Sequence, residues 1–191
     1  MLNIKKISGL VKKDVGAKRW HHVMAVRKAA MELARLHKVP PLKAEQAALL
    51  HDAARFLSDA ELVRYTRKHR LKVPLLNMVI RHNAVLLHGY VAADIARKKF
   101  GVTARDVLSA IQHHTLAHEG MSKLSKIIYL ADSVSADRRY AGVSALRSLS
   151  RHNLDEALLE AMASKMTHVL RKRGWLHPQT IKAWNKLAGY Y

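Results

Sequence analysis

An all-α fold, one bundle of about eight to ten helices, follows from three observations on this sequence of 191 residues. Apolar residues recur at three- and four-residue spacing along nearly the whole chain, as one face of a helix requires. No segment alternates apolar and polar residues as a half-buried strand would. Proline, glycine and helix-capping residues punctuate the periodic runs, and no internal repeat or low-complexity linker divides them.

The N-terminal stretch Met1 to Asp14 interleaves apolar residues with lysines at helical spacing, so residues 1–17 read as a basic helical extension of the same domain. A long helix follows from about Lys18 to His37, with His22, Ala25, Val26, Ala29, Ala30 and Leu33 on one stripe. Pro40 and Pro41 end it and start the next, which carries Ala44, Ala47, Ala48 and His51. Ser58 with Glu61 forms a capping box for a helix reaching roughly Arg70, and Pro74 opens a short one. His88 to Phe100 is helical and stops at Gly101, which supplies the left-handed C-terminal residue. Thr103 with Asp106 starts a helix ending near His114, and another runs from Ser122 through Asp132. Asn153 with Glu156 begins a long helix closed by Gly174, and Pro178 opens the last, to Leu187. Trp20, Trp175 and Trp184 sit at helical positions as packing residues.

Composition excludes several classes. Cysteine is absent, so there is neither a disulfide framework nor a thiolate metal site, and any metal must take nitrogen and oxygen ligands. No hydrophobic run has signal-peptide length or approaches a membrane span, so the chain reads as soluble and cytoplasmic, with no membrane partner. Thirty-four Lys and Arg against fourteen Asp and Glu give a net charge of +20. Such a charge favours polyanionic partners, nucleotides or RNA among them, without choosing between them. The densest groups are the N-terminal lysines, Arg64 to Arg70, Arg97 to Lys99 and Arg171 to Arg173; spread along helices, such cations equally serve as solvated surface.

The chemistry centres on His51-Asp52, set in Ala-Ala-Leu-Leu-His-Asp-Ala-Ala-Arg-Phe. Burying an imidazole and a carboxylate unpaired is costly, and a divalent cation, for which both are good ligands, removes that cost. Two neighbours cannot complete a coordination sphere. His22 on the first apolar stripe, His88 after Leu86 and Leu87, His114 after the apolar run Val107 to Ile111, and Asp132 within Ile-Ile-Tyr-Leu-Ala-Asp extend the series. Spread over five segments, these residues meet only if their helices pack around one centre.

The order His, His-Asp, later Asp resembles the signature of the all-helical HD superfamily of metal-dependent phosphohydrolases. More narrowly, Arg19-Trp-His-His22, Leu50-His51-Asp52-Ala-Ala-Arg-Phe56, Leu87-His88, Ile111-Gln-His-His114-Thr115, and Ile128-Tyr-Leu-Ala-Asp132 followed by Asp137-Arg138 look like the YqeK-type bacterial symmetrical diadenosine tetraphosphate hydrolases. The similarity runs from roughly Lys18 to Leu187 and includes the segment Thr180 to Asn185. It implies an HD-type domain over residues 18–191, in which His22, His51, Asp52 and Asp132 hold a metal. Iron is the family's usual ion; manganese and zinc suit the same ligands. His88 and His114 then face a second metal position or the substrate phosphates, to which they would donate hydrogen bonds.

The implied reaction is hydrolysis of diadenosine tetraphosphate to two ADP by metal-activated water. Asp52 binds metal and orients the water, while Arg19, Arg55, Thr115 and Arg138 contact phosphate. The nucleotide is the expected partner; nucleic acid on the basic surface is compatible but not required, and a homodimer is one option for an open oligomeric state. Two departures stand out. Arg55 replaces the family's common lysine, giving a fork where the family has a point charge. The segment Leu116 to Met121 replaces a loop that tends to contain glycine and arginine.

An HD phosphohydrolase acting on another nucleotide would share every metal ligand. A guanosine polyphosphate hydrolase is disfavoured by Arg55-Phe56 where that group has Glu-Asp, and Gly89-Tyr90 is too short a match for the cyclic-dinucleotide branch. The rival of another class is an RNA- or ribosome-associated basic protein with a degenerate site, motivated by the charge alone.

Overall fold

The Asn3 side chain accepts from the Lys6 backbone N–H at 2.9 Å and starts α1 (Ile4–Leu36), which brings two helical segments together across a break at Gly16. Gly16 has φ 75, a conformation that glycine enters without steric cost, and it separates the basic N-terminal segment from the helix expected to begin near Lys18. The computed structural model describes residues 3–190; residues 1, 2 and 191, at the outer ends of the two expected spans, lie outside the described residues. Ile7 and Val11, before the break, and Val23, Val26 and Ala30, after it, are buried in one core.

The described residues form ten α-helices, one 3₁₀ turn and no strand. The alanine-rich α2 (Pro41–Leu50) presents small side chains to α1 and is buried on most of its surface. Its last residue is Leu50, so His51 and Asp52 stand just past its end. α3 (Asp59–Lys68) carries the full capping box of Ser58 and Glu61. α4 (Leu76–Asn83) begins two residues after Pro74, behind its cap residue Leu75 with φ 53, and leads into a 3₁₀ turn (Ala84–Leu87) that the helical periodicity did not announce.

α5 (His88–Phe100) stops at Gly101, φ 68, as expected. α6 (Arg105–His113) starts after Ala104 rather than at Thr103 and has no side-chain cap. α7 (Lys123–Val134), capped by Ser122, is the central element: it packs against α1, α2 and α6. Ile127, Ile128 and Leu130 of α7 are fully excluded from solvent, a burial that stabilises by about 1.5–3 kcal/mol for each such side chain.

α8 (Val143–His152) is the helix absent from the sequence reading. Its start at Gly142, φ 86, has no side-chain cap, and its buried residues are only Val143, Leu146 and Ser150, too narrow a stripe to stand out. α9 (Leu154–Arg171) is capped by Asn153, whose side chain accepts from the Asp155 and Glu156 backbone N–H groups. α10 (Pro178–Leu187) packs on α9. Trp20, Trp175 and Trp184 pack against the core. No described helix is long and apolar enough to cross a membrane.

The approach of α5 to α6 decides the geometry of the site. A Cβ on Gly89 would lie 2.6 Å from the Gln112 carbonyl oxygen, so a residue without one is needed directly after His88. The ends of α2, α5 and α6, the middle of α1 and the last turn of α7 meet around one largely buried polar centre.

Candidate metal centre

Three imidazoles are held by one local device. His51 Nδ1 donates to the Ala48 carbonyl at 2.7 Å, His88 Nδ1 to Val85 at 2.6 Å and His114 Nδ1 to Ile111 at 2.7 Å. Each bond reaches back three residues at a helix end, the Val85 carbonyl accepting from the His88 backbone N–H as well. A neutral ring tethered this way carries its proton on Nδ1 and turns the Nε2 lone pair inward, the state a metal ligand requires. Burial lowers the pKa of His88 and takes His114 down to about 3, so both rings are neutral at pH 7.

Asp52 lies among them and turns a different oxygen to each side. Its Oδ2 is 3.5 Å from His51 Nε2 and 3.8 Å from His22 Nε2; its Oδ1 is 3.4 Å from His88 Nε2 and 3.9 Å from His114 Nε2. His22, His51 and Asp52 thus bring ligand atoms within 4.8 Å of one another, and so do Asp52, His88 and His114. Burial pushes the Asp52 carboxyl up, but the electrostatics of His51, His88 and His114 outweigh it and hold it down to about 2. It is ionised at neutral pH.

His22 is held differently. Its Nδ1 lies 2.7 Å from Asp137 Oδ2, which directs Nε2 toward Asp132 Oδ1 at 3.2 Å. Burial lowers the His22 pKa, but hydrogen bonds and charge from Asp132 and Asp137 reverse this and raise it. Asp132, although mostly shielded from solvent, is held well below the usual carboxylate range by His22, Lys165 and Arg138. Arg138 donates to the Asp132 carbonyl at 2.7 Å and also pairs with its carboxylate, while Lys165 Nζ stands 3.7 Å from Oδ2.

The donor set fits a cation. His51 Nε2 is buried with no hydrogen-bond partner among the described residues, and His22 Nε2 faces only carboxylates, Asp132 at 3.2 Å and Asp52 at 3.8 Å. His88 Nε2 and His114 Nε2 face each other at 2.9 Å. With both protons committed to backbone carbonyls, two lone pairs so placed repel, and a cation shared with Asp52 removes the repulsion. Together these residues offer the mixed imidazole and carboxylate donors that a metal site requires.

The structure therefore brings together His22, His51, Asp52, His88, His114 and Asp132, all six expected at one centre. Thr115 Oγ1 is 3.3 Å from His88 Nε2. Arg19, Arg55 and Arg138 line the same centre, but on its carboxylates: Arg19 pairs with Asp52 at 2.9 Å, Arg55 lies 3.9 Å from it, and Arg138 pairs with Asp132. Within the divergent segment, Leu116 and Ala117 are buried, and their carbonyls accept from Thr180 and Gln179 of α10.

Two contributors received no role from the sequence. Asp137 lies in a turn, where an aspartate ordinarily signals backbone geometry. Lys165 is one of many lysines on exposed-looking helical positions, and nothing local distinguishes it. Its amine lies 3.9 Å from the Tyr129 ring centroid, a cation–π contact that fixes its approach to Asp132.

Comparison with known proteins agrees with this centre. The HD domain profile matches residues 19–137, more than half of the chain. The symmetrical bis(5'-nucleosyl)-tetraphosphatase of Bacillus subtilis (strain 168) is 31% identical over 97% of this chain and 98% of its own length. The protein of the same description from Halalkalibacterium halodurans is 32% identical, with 97% of each chain covered. A crystal structure of a predicted HD superfamily hydrolase involved in NAD metabolism, from Clostridium acetobutylicum, superposes with a TM-score of 0.94 at 34% identity and covers both chains completely.

Proposed function

The chain belongs to the HD domain family, and from that premise we propose that it is a symmetrical bis(5'-nucleosyl)-tetraphosphatase, cleaving diadenosine tetraphosphate into two ADP. The observation that carries the reading is the placement of Asp52. One carboxylate oxygen faces His22 and His51, the other His88 and His114. This arrangement supports two cation positions sharing Asp52, one completed by Asp132, with His88 and His114 as ligands of the other. Iron is the proposed ion, with manganese or zinc suited to the same donors.

The chemistry such ions supply is activation of water and withdrawal of charge from phosphoryl oxygens. A bond forms from the water oxygen to an inner phosphorus and the central bridging P–O bond breaks, leaving ADP on each side. Asp52 orients the water. His88 and His114, their Nδ1 protons held by carbonyls, offer lone pairs inward rather than hydrogen bonds to phosphate. Phosphate contacts fall instead to Arg19, Arg55 and Arg138, which exchange from the two carboxylates to the polyphosphate, with Thr115 contributing its hydroxyl. The wider positive charge gathers an anionic substrate. A basic binding protein with a degenerate site would lack part of this set.

The test is turnover of diadenosine tetraphosphate by metal-loaded protein, with products separated by chromatography. ADP alone is expected. ATP plus AMP would overturn the symmetric assignment, and inactivity of fully metallated protein would overturn the substrate.

A further inference from the structure

We propose that Arg147, on α8, is a positioning residue of the metal centre: its guanidinium staples the turn that presents Asp137 to His22 and Arg138 to Asp132. It touches no expected ligand. Its Nε donates to the Val134 carbonyl at 2.7 Å, and its Nη2 donates to Ser135 at 2.9 Å and to Arg138 at 3.0 Å. Val134 ends α7, so these carbonyls belong to a helix terminus and the turn beyond it, where intrahelical donors have run out. A forked guanidinium serves three of them at once; a single ammonium has no such geometry.

The turn is otherwise held by short-range bonds alone. Arg138 N donates to the Ser135 carbonyl at 2.9 Å, Ser135 Oγ donates to Asp137 Oδ1 at 2.6 Å, and the exposed Arg139 guanidinium donates to the carbonyls of Ala136 at 2.5 Å and Arg138 at 3.3 Å. Both side chains that leave the turn for the centre act on it directly: Asp137 fixes the His22 ring, and Arg138 binds Asp132 through backbone and carboxylate. Loss of the staple frees both together. α8 thereby has a part in the site although none of its side chains reaches a ligand.

The inference rests on the metal-centre reading above, and the experiment separates the two. Mn²⁺ is titrated into metal-free wild type, R147M, R147K, D137N and R147M/D137N by calorimetry, with folding monitored by circular dichroism. R147M is expected to bind Mn²⁺ about 10–100-fold more weakly, the usual loss when the partner that orients a ligand is removed. R147K is expected to lose less. R151M, one turn further along α8 and paired on the surface with Glu32, is expected to bind like wild type. Because Arg147 acts through Asp137, R147M and D137N should be non-additive.

Wild type that takes up no Mn²⁺ overturns the metal reading and the inference with it. Wild-type affinity in R147M overturns the inference alone, as does full additivity with D137N. Should R147M fail to fold, R147K carries the test, and wild-type affinity there is likewise fatal.

Discussion

The two halves of the centre are built by different means. Around Asp52, three imidazoles are fixed by carbonyls three residues earlier in their own segments, so each ring comes with its tautomer and direction set locally. Around Asp132, the His22 ring takes its direction from Asp137, far along the chain, and the carboxylate is balanced by Arg138 and by Lys165 from α9. A helix end supplies the first arrangement wherever the backbone is formed. The second exists only while α1, α7, α8 and α9 are docked. The Asp52 half is therefore the more rigid, and the Asp132 half is the one that single distant substitutions loosen.

The largest expected effect breaks the element common to both triads. Asp52→Asn leaves one of the shared oxygens as an amide nitrogen with no lone pair to offer, and should lower turnover by about 10²–10⁴-fold while circular dichroism stays native. Chelation should likewise abolish turnover of wild type, and added Mn²⁺ should restore it. Unchanged activity in either case would remove Asp52 or the metal from the reaction.

Asp137→Asn attacks only the less rigid half. Metal affinity should fall about 10–100-fold by calorimetry, with little change in Tm. An equal loss of Tm and affinity would mean that the two halves do not differ in the way described.

Gly89→Ala tests the rigid half through its backbone. The added Cβ meets the Gln112 carbonyl at 2.6 Å, so α5 must move from α6 and carry His88 away from His114. A destabilisation of about 1–3 kcal/mol is expected in urea melts, together with lost activity.

The smallest effect comes from outside both halves. Burial pushes the Asp94 carboxyl up, but hydrogen bonds from Lys98, Arg97 and Tyr65 outweigh it and hold it below its ordinary value. A depressed folded-state pKa contributes stability above the unfolded value, lost as pH falls through the folded one. Asp94→Asn should therefore cost about 1 kcal/mol at pH 7 and progressively less as pH falls below about 4, where the unfolded chain protonates first and the native carboxyl follows at its lower pKa. Metal affinity should not change; a change would couple this remote network to the centre.

The same division explains what was legible. Helices with side-chain caps, such as those begun by Ser58, Ser122 and Asn153, were placed from the sequence because a capping residue and the backbone N–H that donates to it lie within three positions. α8 and the 3₁₀ turn before His88 were not: α8 has neither a side-chain cap nor a broad apolar stripe, and the turn, four residues long, is too short to show a helical period. The six expected residues at the centre stood out because each interrupts an apolar run. Lys165 and Arg147 lie in polar surroundings where such residues are ordinary, and nothing within a few positions marks them; Asp137 stands in a motif of the resemblance, but its neighbours show no contact with His22.

By itself the sequence determined the helical class, most helix boundaries and the polar residues that gather at the centre, because periodicity, capping and the cost of burying charge act over a few neighbouring positions. The tertiary structure decided that Asp52 turns one oxygen to each set of histidines and that Arg19, Arg138 and Lys165 rest on the carboxylates. It also decided that a turn stapled from α8 directs His22. Those outcomes depend on distances between segments remote in the chain, which only the packing of the helices sets.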